Sequence, residues 1–411
     1  MKKFLLISLL TFVPVICSGS GYALYEMNAR AHGMGHAYIV RVDDASAVWY
    51  NPAALTRLEG SEIYASATWI HTTGEFTPLA TGLTIDQVEG DFFPPNFYFA
   101  NQFSDNWVFG LGVYTPFGLR TEWPEGSLAS FVSQKADLKV FYVTPSIAYR
   151  INPNFSIGGG FDFAWSRVEL ERQANLAPLA PVIIANQVET DATEFGFNLG
   201  VLIETNSNVD FAVTYKHKMD LDFEGDTTFT GVPPQLVSFF PEGEAFLDLP
   251  LPSQFMFGAS TTYENFSIEG DVILTFWDEF DVRVLDFAQN TPVLRDVVLR
   301  RDFDNTWSFR LGVEYSLTDQ WAIRGGYVYD KTPVPDQAVD PILPDGSRNA
   351  ITFGAGYSGE GWTFDVAYML LLIEDRTSPL NNFVTPPGNL IAAGEYDSGA
   401  NLLSFGFGYK F

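Results

Sequence analysis

Leu403, Phe405, Phe407, Tyr409 and Phe411 are apolar at every second position, with small or polar residues between them. A period of two belongs to a β-strand that shows one face to an apolar medium and the other to polar or packed space. The same alternation recurs from Ser61 onward, and the connections between strands alternate between short and long. Short ones fall at residues 104–106, 152–154, 205–208, 264–265, 318–320 and 358–361, all rich in Asn, Asp, Gly or Ser as tight hairpins require. Longer ones, carrying Pro, Gly and acidic residues, fall at 73–93, 117–136, 172–190, 227–248, 286–296, 332–347 and 375–397.

Seven long and six short connections join fourteen strands, an even number that brings both ends of a barrel to one side. One strand core, Phe155, Ile157, Gly159, Phe161, Phe163 and Trp165, spans eleven residues, the length of a tilted membrane strand. A soluble β-sandwich also alternates, but its strands are about 5 to 6 residues long and need no aromatics near their ends. The pattern therefore predicts an all-β fold, a 14-stranded antiparallel transmembrane β-barrel over residues 61–411 that closes between its last strand and its first. Symmetry about the turn at Asp319 predicts that Glu314 stands directly across from Arg324.

The first twenty residues read as an export signal: Lys2 and Lys3, an apolar run from residue 4 to 16, then small residues from Ser18 to Gly21. Cys17 is preceded by Ile16 where a lipoprotein signal wants a small residue, so it reads as a disposable leader cysteine. Residues 21–60 do not alternate, and Gly33, Gly35, Asp43, Asp44 and Pro52 break any long strand. A barrel of this size encloses a lumen, and a plug inside it is the natural place for such a segment.

Composition changes the picture little. Aromatic residues reach 16%, and no stretch past residue 20 is long and apolar enough for a membrane helix. The formal charge of −27 becomes two units more negative if Lys2 and Lys3 leave with the leader, and such a surface repels nucleic acid. An exported barrel with a terminal aromatic points to the outer membrane of a Gram-negative cell, with Phe411 as the signal to the barrel-assembly machinery.

The run Gly21-Tyr-Ala-Leu-Tyr-Glu26, then Ala29-Arg-Ala-His-Gly-Met-Gly35, then residues 43–58 with Asn51-Pro52-Ala53 at their centre, resembles the N-terminal hatch of the FadL/TodX family of outer-membrane transporters. Leu251-Pro-Ser-Gln-Phe255, Trp277-Asp-Glu-Phe280, residues 324–336 and Leu343-Pro-Asp-Gly-Ser-Arg348 extend the resemblance along the chain. It implies a barrel plugged by a hatch and passive uptake of long-chain fatty acids or aromatic hydrocarbons. In that family the Asn-Pro-Ala turn lies beside a kink in the third strand, where a gap in the wall lets ligand leave sideways into the membrane. Carried onto this chain, the lateral gate comprises Asn51, Pro52 and Ala53 with Gly110 and Gly112 of the third strand. The family's fifth-strand pattern offers Arg167 to a fatty-acid carboxylate, although alternation puts it on the side of Trp165, so that it points inward only across a bulge or above the bilayer. Arg300 and Arg301 are further candidates above the tenth strand.

Chemistry is otherwise sparse. His32 and His36 stand four apart like a metal pair, but Gly33 and Gly35 disfavour a helix and no Cys or carboxylate cluster is evident beside them, so plug packing and no metal is the better reading. His71 and His217 are isolated, and no nucleophile, base and orienter can be picked out. On the tenth strand Trp307, Phe309, Leu311, Val313 and Tyr315 face lipid, which turns Arg310 and Glu314 inward; on the eleventh Arg324 also turns inward. Structural ion pairing suits these three better than ligand contact. The apolar loop segments 176–184 and 232–240 either form an external landing site or pack on one another.

Uptake of a hydrophobic small molecule is the function expected, with long-chain fatty acids ahead of aromatic hydrocarbons. A barrel lipase or protease would need a nucleophile constellation and no plug, and an adhesive barrel would tolerate loss of the hatch motif. No cofactor is implied. The partners expected are the hydrophobic ligand, outer-membrane lipid and lipopolysaccharide, around a monomer.

Overall fold

Period-two alternation closes into a continuous wall in the computed structural model, which describes residues 21–177, 180–380, 383 and 391–411. The export signal expected over residues 1–20 lies outside them. The wall is a closed antiparallel barrel of fourteen strands. They are β1 (Ser61–Pro78), β2 (Pro95–Ser104), β3 (Trp107–Glu122), β4 (Lys135–Asn152), β5 (Phe155–Asn175), β6 (Ile183–Ile203), β7 (Val209–Lys216, continued as Met219–Thr230) and β8 (Gly243–Leu251, continued as Gln254–Tyr263). The others are β9 (Phe266–Thr275, continued as Val282–Phe287), β10 (Val297–Arg300, continued as Thr306–Ser316), β11 (Trp321–Asp330), β12 (Arg348–Gly359), β13 (Trp362–Ile373) and β14 (Gly394–Lys410). Antiparallel pairing of β1 with β14, from Glu62↔Lys410 to Pro78↔Gly394, completes the ring. Closure leaves no unpaired sheet edge to face lipid at that seam.

All six short turns fall where the sequence put them, and their backbones explain their composition. Glu360 and Gly361, at φ 54° and 84°, take the left-handed pair that a two-residue hairpin turn demands. The long connections are shorter than the sequence suggested. Residues 172–190 contain the ends of β5 and β6, so only residues 176–182 connect them. The backbone keeps its ladder above the bilayer because pairing satisfies its polar groups there as well as within it.

Lipid-facing and inward positions follow the predicted phase on β10 and β11. Trp307, Phe309, Leu311 and Tyr315 are exposed, whereas Arg310, Glu314 and Arg324 are buried. Glu314 does stand opposite Arg324 in the ladder.

Residues 21–60 run through the lumen, almost wholly buried. They form helix α1 (Ala29–Gly33), helix α2 (Ala47–Tyr50) and a 3-10 helix at Pro52–Arg57. The expectation that glycines would prevent a helix beside His32 is corrected. The Asn28 side chain caps α1 by accepting from the Arg30 and Ala31 amides at 2.7 and 3.2 Å, and the helix simply stops at Gly33. Gly35 and His36 then reverse the chain at φ 61° and 58°.

Candidate functional site

Residues 21–60 fill the lower lumen, and glycines of the wall make room for them. A Cβ at Gly200 on β6 would lie 2.1 Å from Asn51 Oδ1, and one at Gly158 on β5 would lie 2.4 Å from the Pro52 carbonyl carbon. Asn51 caps the 3-10 helix through the Ala53 amide at 3.1 Å and donates through Nδ2 to the Ile39 and Val201 carbonyls, each at 3.2 Å. The Asn-Pro-Ala turn thus sits against β5 and β6, and the 3-10 helix it opens also reaches β3. Val48 and Leu55 are the hatch residues that meet β3, over Gly110 and Gly112.

Ion pairs also hold this segment to the wall. Glu314 binds Arg30 at 3.0 Å, Arg41 at 2.8 Å and Arg324 at 2.6 Å, and Arg324 also binds Asp365 at 2.6 Å. One wall carboxylate therefore ties two hatch arginines to the barrel. Glu269 and Asp271 on β9 accept from the Val40 and Tyr38 amides at 2.7 and 2.9 Å, so wall carboxylates also satisfy hatch backbone that lacks secondary structure. Arg310, expected in the ion pair, forms none with a described residue; its guanidinium lies 3.9 Å from the centroid of the Tyr25 ring. Burial alone pulls the His32 imidazole down to about 3, and burial with the neighbouring His32 and Arg310 holds His36 well below the usual histidine range. Burial thus favours the neutral form of both rings.

The wall has a window. β2 and β3 pair from Ser104↔Trp107 up to Phe97↔Val113 and no further, while β3 continues to Glu122 along β4. The β3–β4 register slips between Tyr114 and Phe117, so the irregularity expected at Gly110 and Gly112 lies at Thr115 and Pro116. Gly110 and Gly112 themselves are regularly paired on both sides. The hatch covers part of the free edge: Leu24 donates to the Pro116 carbonyl at 2.8 Å and the Gly118 amide donates to the Tyr22 carbonyl at 3.0 Å. Proline at 116 has no amide to leave unpaired there.

Three cavities lead toward this window. An outer one of about 610 Å³ is lined by Leu170, Leu285, Val297, Arg172, Arg300 and Arg301. A constriction of about 80 Å³, walled by Leu119, Leu138, Leu170, Leu299 and Ile342, shares residues with both neighbours. An inner cavity of about 380 Å³ reaches Pro94, Pro95, Thr115 and Gly118 at the window. Apolar surface dominates the lining of the path, with charged side chains along it, among them Arg172, Arg300 and Arg301 at the outer cavity, Arg283 and Asp248 at the constriction, and Arg120, Asp137 and Lys139 at the inner cavity.

Residues 10–411 match the outer membrane protein transport protein family, OMPP1/FadL/TodX. The chain belongs to this family. It is similar to the long-chain fatty acid transport protein of Salmonella typhi, 25% identical over 379 residues that cover 84% of this chain and 86% of that protein. Its fold matches the crystal structure of a Pseudomonas aeruginosa FadL homologue with a TM-score of 0.84 at 19% identity, over 95% of this chain and all of that one. It matches the Pseudomonas putida toluene transporter TodX with a TM-score of 0.75 at 18% identity, over 96% and 99% of the two chains. As a FadL/TodX protein this is an outer-membrane transporter of hydrophobic compounds and not an enzyme.

Within the FadL/TodX barrel the basic candidates part company. Arg167 faces outward beside Trp165 with no bulge between them, and pairs with Glu189 at 2.5 Å. Arg300 stands at the outer cavity, 2.6 Å from Asp302 and over the Phe383 ring. Arg301 is buried, bound to Asp340 at 3.1 Å and to the Ala338 carbonyl at 3.0 Å. Sequence reasoning missed Arg172, which lines the outer cavity and forms no ion pair among the described residues. Its signal was available: Ser166, Val168, Leu170 and Arg172 share the inward phase of β5 that Arg167 does not. The apolar loop segments pack on one another, with Leu176, Ile184 and Phe240 in one cluster. His71 lies at the surface with Asp91, and His217 stacks on Phe197.

Proposed function

We propose that this protein takes up long-chain fatty acids by passive diffusion, from the outer cavity through the constriction to the inner cavity, and then sideways through the window into the outer membrane. The observation that carries this reading is the edge of β3 above Val113, which β2 leaves and the hatch covers only in part, and to which the inner cavity extends at Pro95, Thr115 and Gly118. An apolar chain moving along this path stays against a mostly apolar lining, whereas a water-filled pore would offer it no favourable environment. The gate is then formed by residues 115–118 and the hatch segment 22–24, with Asn51, Pro52, Ala53, Gly110 and Gly112 seating the hatch behind it.

Cations favour a carboxylate head group over a neutral aromatic. Arg172 and Arg300 stand at the outer cavity. Arg120 and Lys139 stand at the rim of the window, both leaning on Asp137 at 3.5 and 3.0 Å. The name of the Salmonella relative points the same way. A single closed chain needs no second copy to complete its wall, which supports a monomer exchanging ligand with outer-membrane lipid beneath the lipopolysaccharide.

Uptake of labelled oleate and of labelled toluene by cells tests both parts. Thr115→Trp is expected to block the window and slow both compounds while the barrel still inserts; parent rates for both would overturn the sideways exit. Arg172→Gln is expected to slow oleate alone, and an equal effect on toluene would overturn the fatty-acid assignment without touching the path.

A further inference from the structure

One cluster in the hatch takes no part in the ion pairs that tie the hatch to the wall, and it borders the inner cavity. Glu26, His32 and His36 are buried together, and one ligand atom from each lies within 4.8 Å of the other two. His32 Nδ1 is 3.0 Å from the Ser404 hydroxyl on β14, which is itself 2.6 Å from the Thr68 hydroxyl, while Nε2 has no partner. His36 has no partner on either nitrogen. Glu26 accepts from the Tyr25 amide at 3.0 Å through one oxygen, and its other oxygen lies 4.0 Å from His36 Nε2. Native interiors pair nearly all such atoms, so three orphaned ring nitrogens beside one carboxylate ask for a shared electron-pair acceptor.

We propose that Glu26, His32 and His36 bind a divalent transition ion of the zinc class, with a fourth coordination position open toward the inner cavity. Two imidazoles and a carboxylate are the donor set of an open zinc site, and they are too poor in oxygen for calcium, which takes six to eight oxygen ligands. The backbone holds the donors in place. His32 sits in α1, its amide donating to the Asn28 carbonyl at 2.9 Å, and the left-handed turn at His36 brings its amide to the Ala31 carbonyl at 2.8 Å and its ring to 5.1 Å from that of His32. Ser404 occupies the place of the outer partner that orients a metal-bound imidazole through its other nitrogen. Tetrahedral bonds of about 2.0–2.1 Å need ligand atoms about 3.3 Å apart, so the three side chains close by about 1.5 Å at most on binding. Glu26 and His36 also line the inner cavity, and that is the side left open. Arg310 stands opposite Asp271 in the β9–β10 ladder without an ion pair to it, and its guanidinium lies over the Tyr25 ring.

The test uses the mature full-length barrel in detergent, stripped with a chelator and titrated with zinc alone, with bound metal read by native mass spectrometry and folding by the heat-dependent gel shift. One zinc per chain is expected. His32→Gln with His36→Gln is expected to abolish it, Ser404→Ala to weaken it about tenfold, and His71→Gln to leave it unchanged. Cobalt added to the parent barrel is expected to give the visible absorption of a low-coordinate nitrogen and oxygen site, a readout that needs no variant to fold. No retained zinc and no cobalt band in the parent, or full zinc binding in the folded double variant, would overturn the proposal.

Discussion

At the level of α1 and the Asn-Pro-Ala turn, many inward positions of the wall are polar or glycine, among them Gly158, Asp162, Asn198 and Gly200 on β5 and β6 and Glu314 on β10, with apolar ones such as Leu202 and Ala164 between them. Further along the same two strands, toward their outer ends, the inward positions include Val168, Leu170 and Val188, with Thr190, Asn186 and Arg172 among them. The lower set meets a solid hatch, and the upper set meets cavities. Polar groups inside a barrel need partners, and the hatch backbone supplies them; apolar groups facing an open path need none and offer a greasy chain its environment. One set of strands thereby builds a seal and a conduit, and the difference is written in what each inward position carries.

The sharpest way to break the contrast is to unseat the hatch. A side chain at Gly200 collides with Asn51 Oδ1 at 2.1 Å, so Gly200→Val is expected to push the Asn-Pro-Ala turn off β6 and open an aqueous route. Planar-bilayer recordings should then show stable conductance where the parent shows none. Gly270→Ala is the control, because a Cβ there meets only the Arg310 carbonyl oxygen at 3.8 Å. Equal conductance in the two variants would mean that the hatch is not what seals the lumen.

Next in size is the charge hub. Glu314→Gln leaves Arg30, Arg41 and Arg324 facing a neutral amide in a buried site, and breaking such a network costs about 3–5 kcal/mol. The folded band on an unboiled gel should convert at a markedly lower temperature, with no change in the apolar cavities above. Glu314→Gln melting at the parent temperature would place the strength of the seal in the glycine contacts instead.

Legibility in the sequence follows the same division. The strands, the six turns and the Glu314–Arg324 pairing were readable because period two and a tight turn together determine both face and register. The seat of Asn51 on β5 and β6 was not, since nothing local in a non-repeating segment says which of fourteen strands it will touch. Nor was the convergence of Glu26 with His32 and His36, which rests on a left-handed residue at His36 that no periodicity announces. The window had a partial signal: Pro116 cannot donate to a ladder, and it marked the free edge of β3 better than the glycines at 110 and 112 did.

The smallest effect expected is at Arg167, and it sharpens the comparison because Arg167 and Arg172 stand on one strand with opposite phase. Arg167 and Glu189 are both more than two-fifths exposed on the outer face, a setting in which an ion pair contributes about 0–1 kcal/mol. Arg167→Ala should therefore change stability by no more than about 1 kcal/mol, keep the gel-shift temperature close to that of the parent, and leave oleate uptake unchanged. Arg172 points into the outer cavity, so the same truncation there removes a cation from the conduit itself. If Arg167→Ala slowed oleate and spared toluene, the acid would be captured on the outer face of β5 before reaching the cavity, and the inward phase of the strand would no longer explain selectivity.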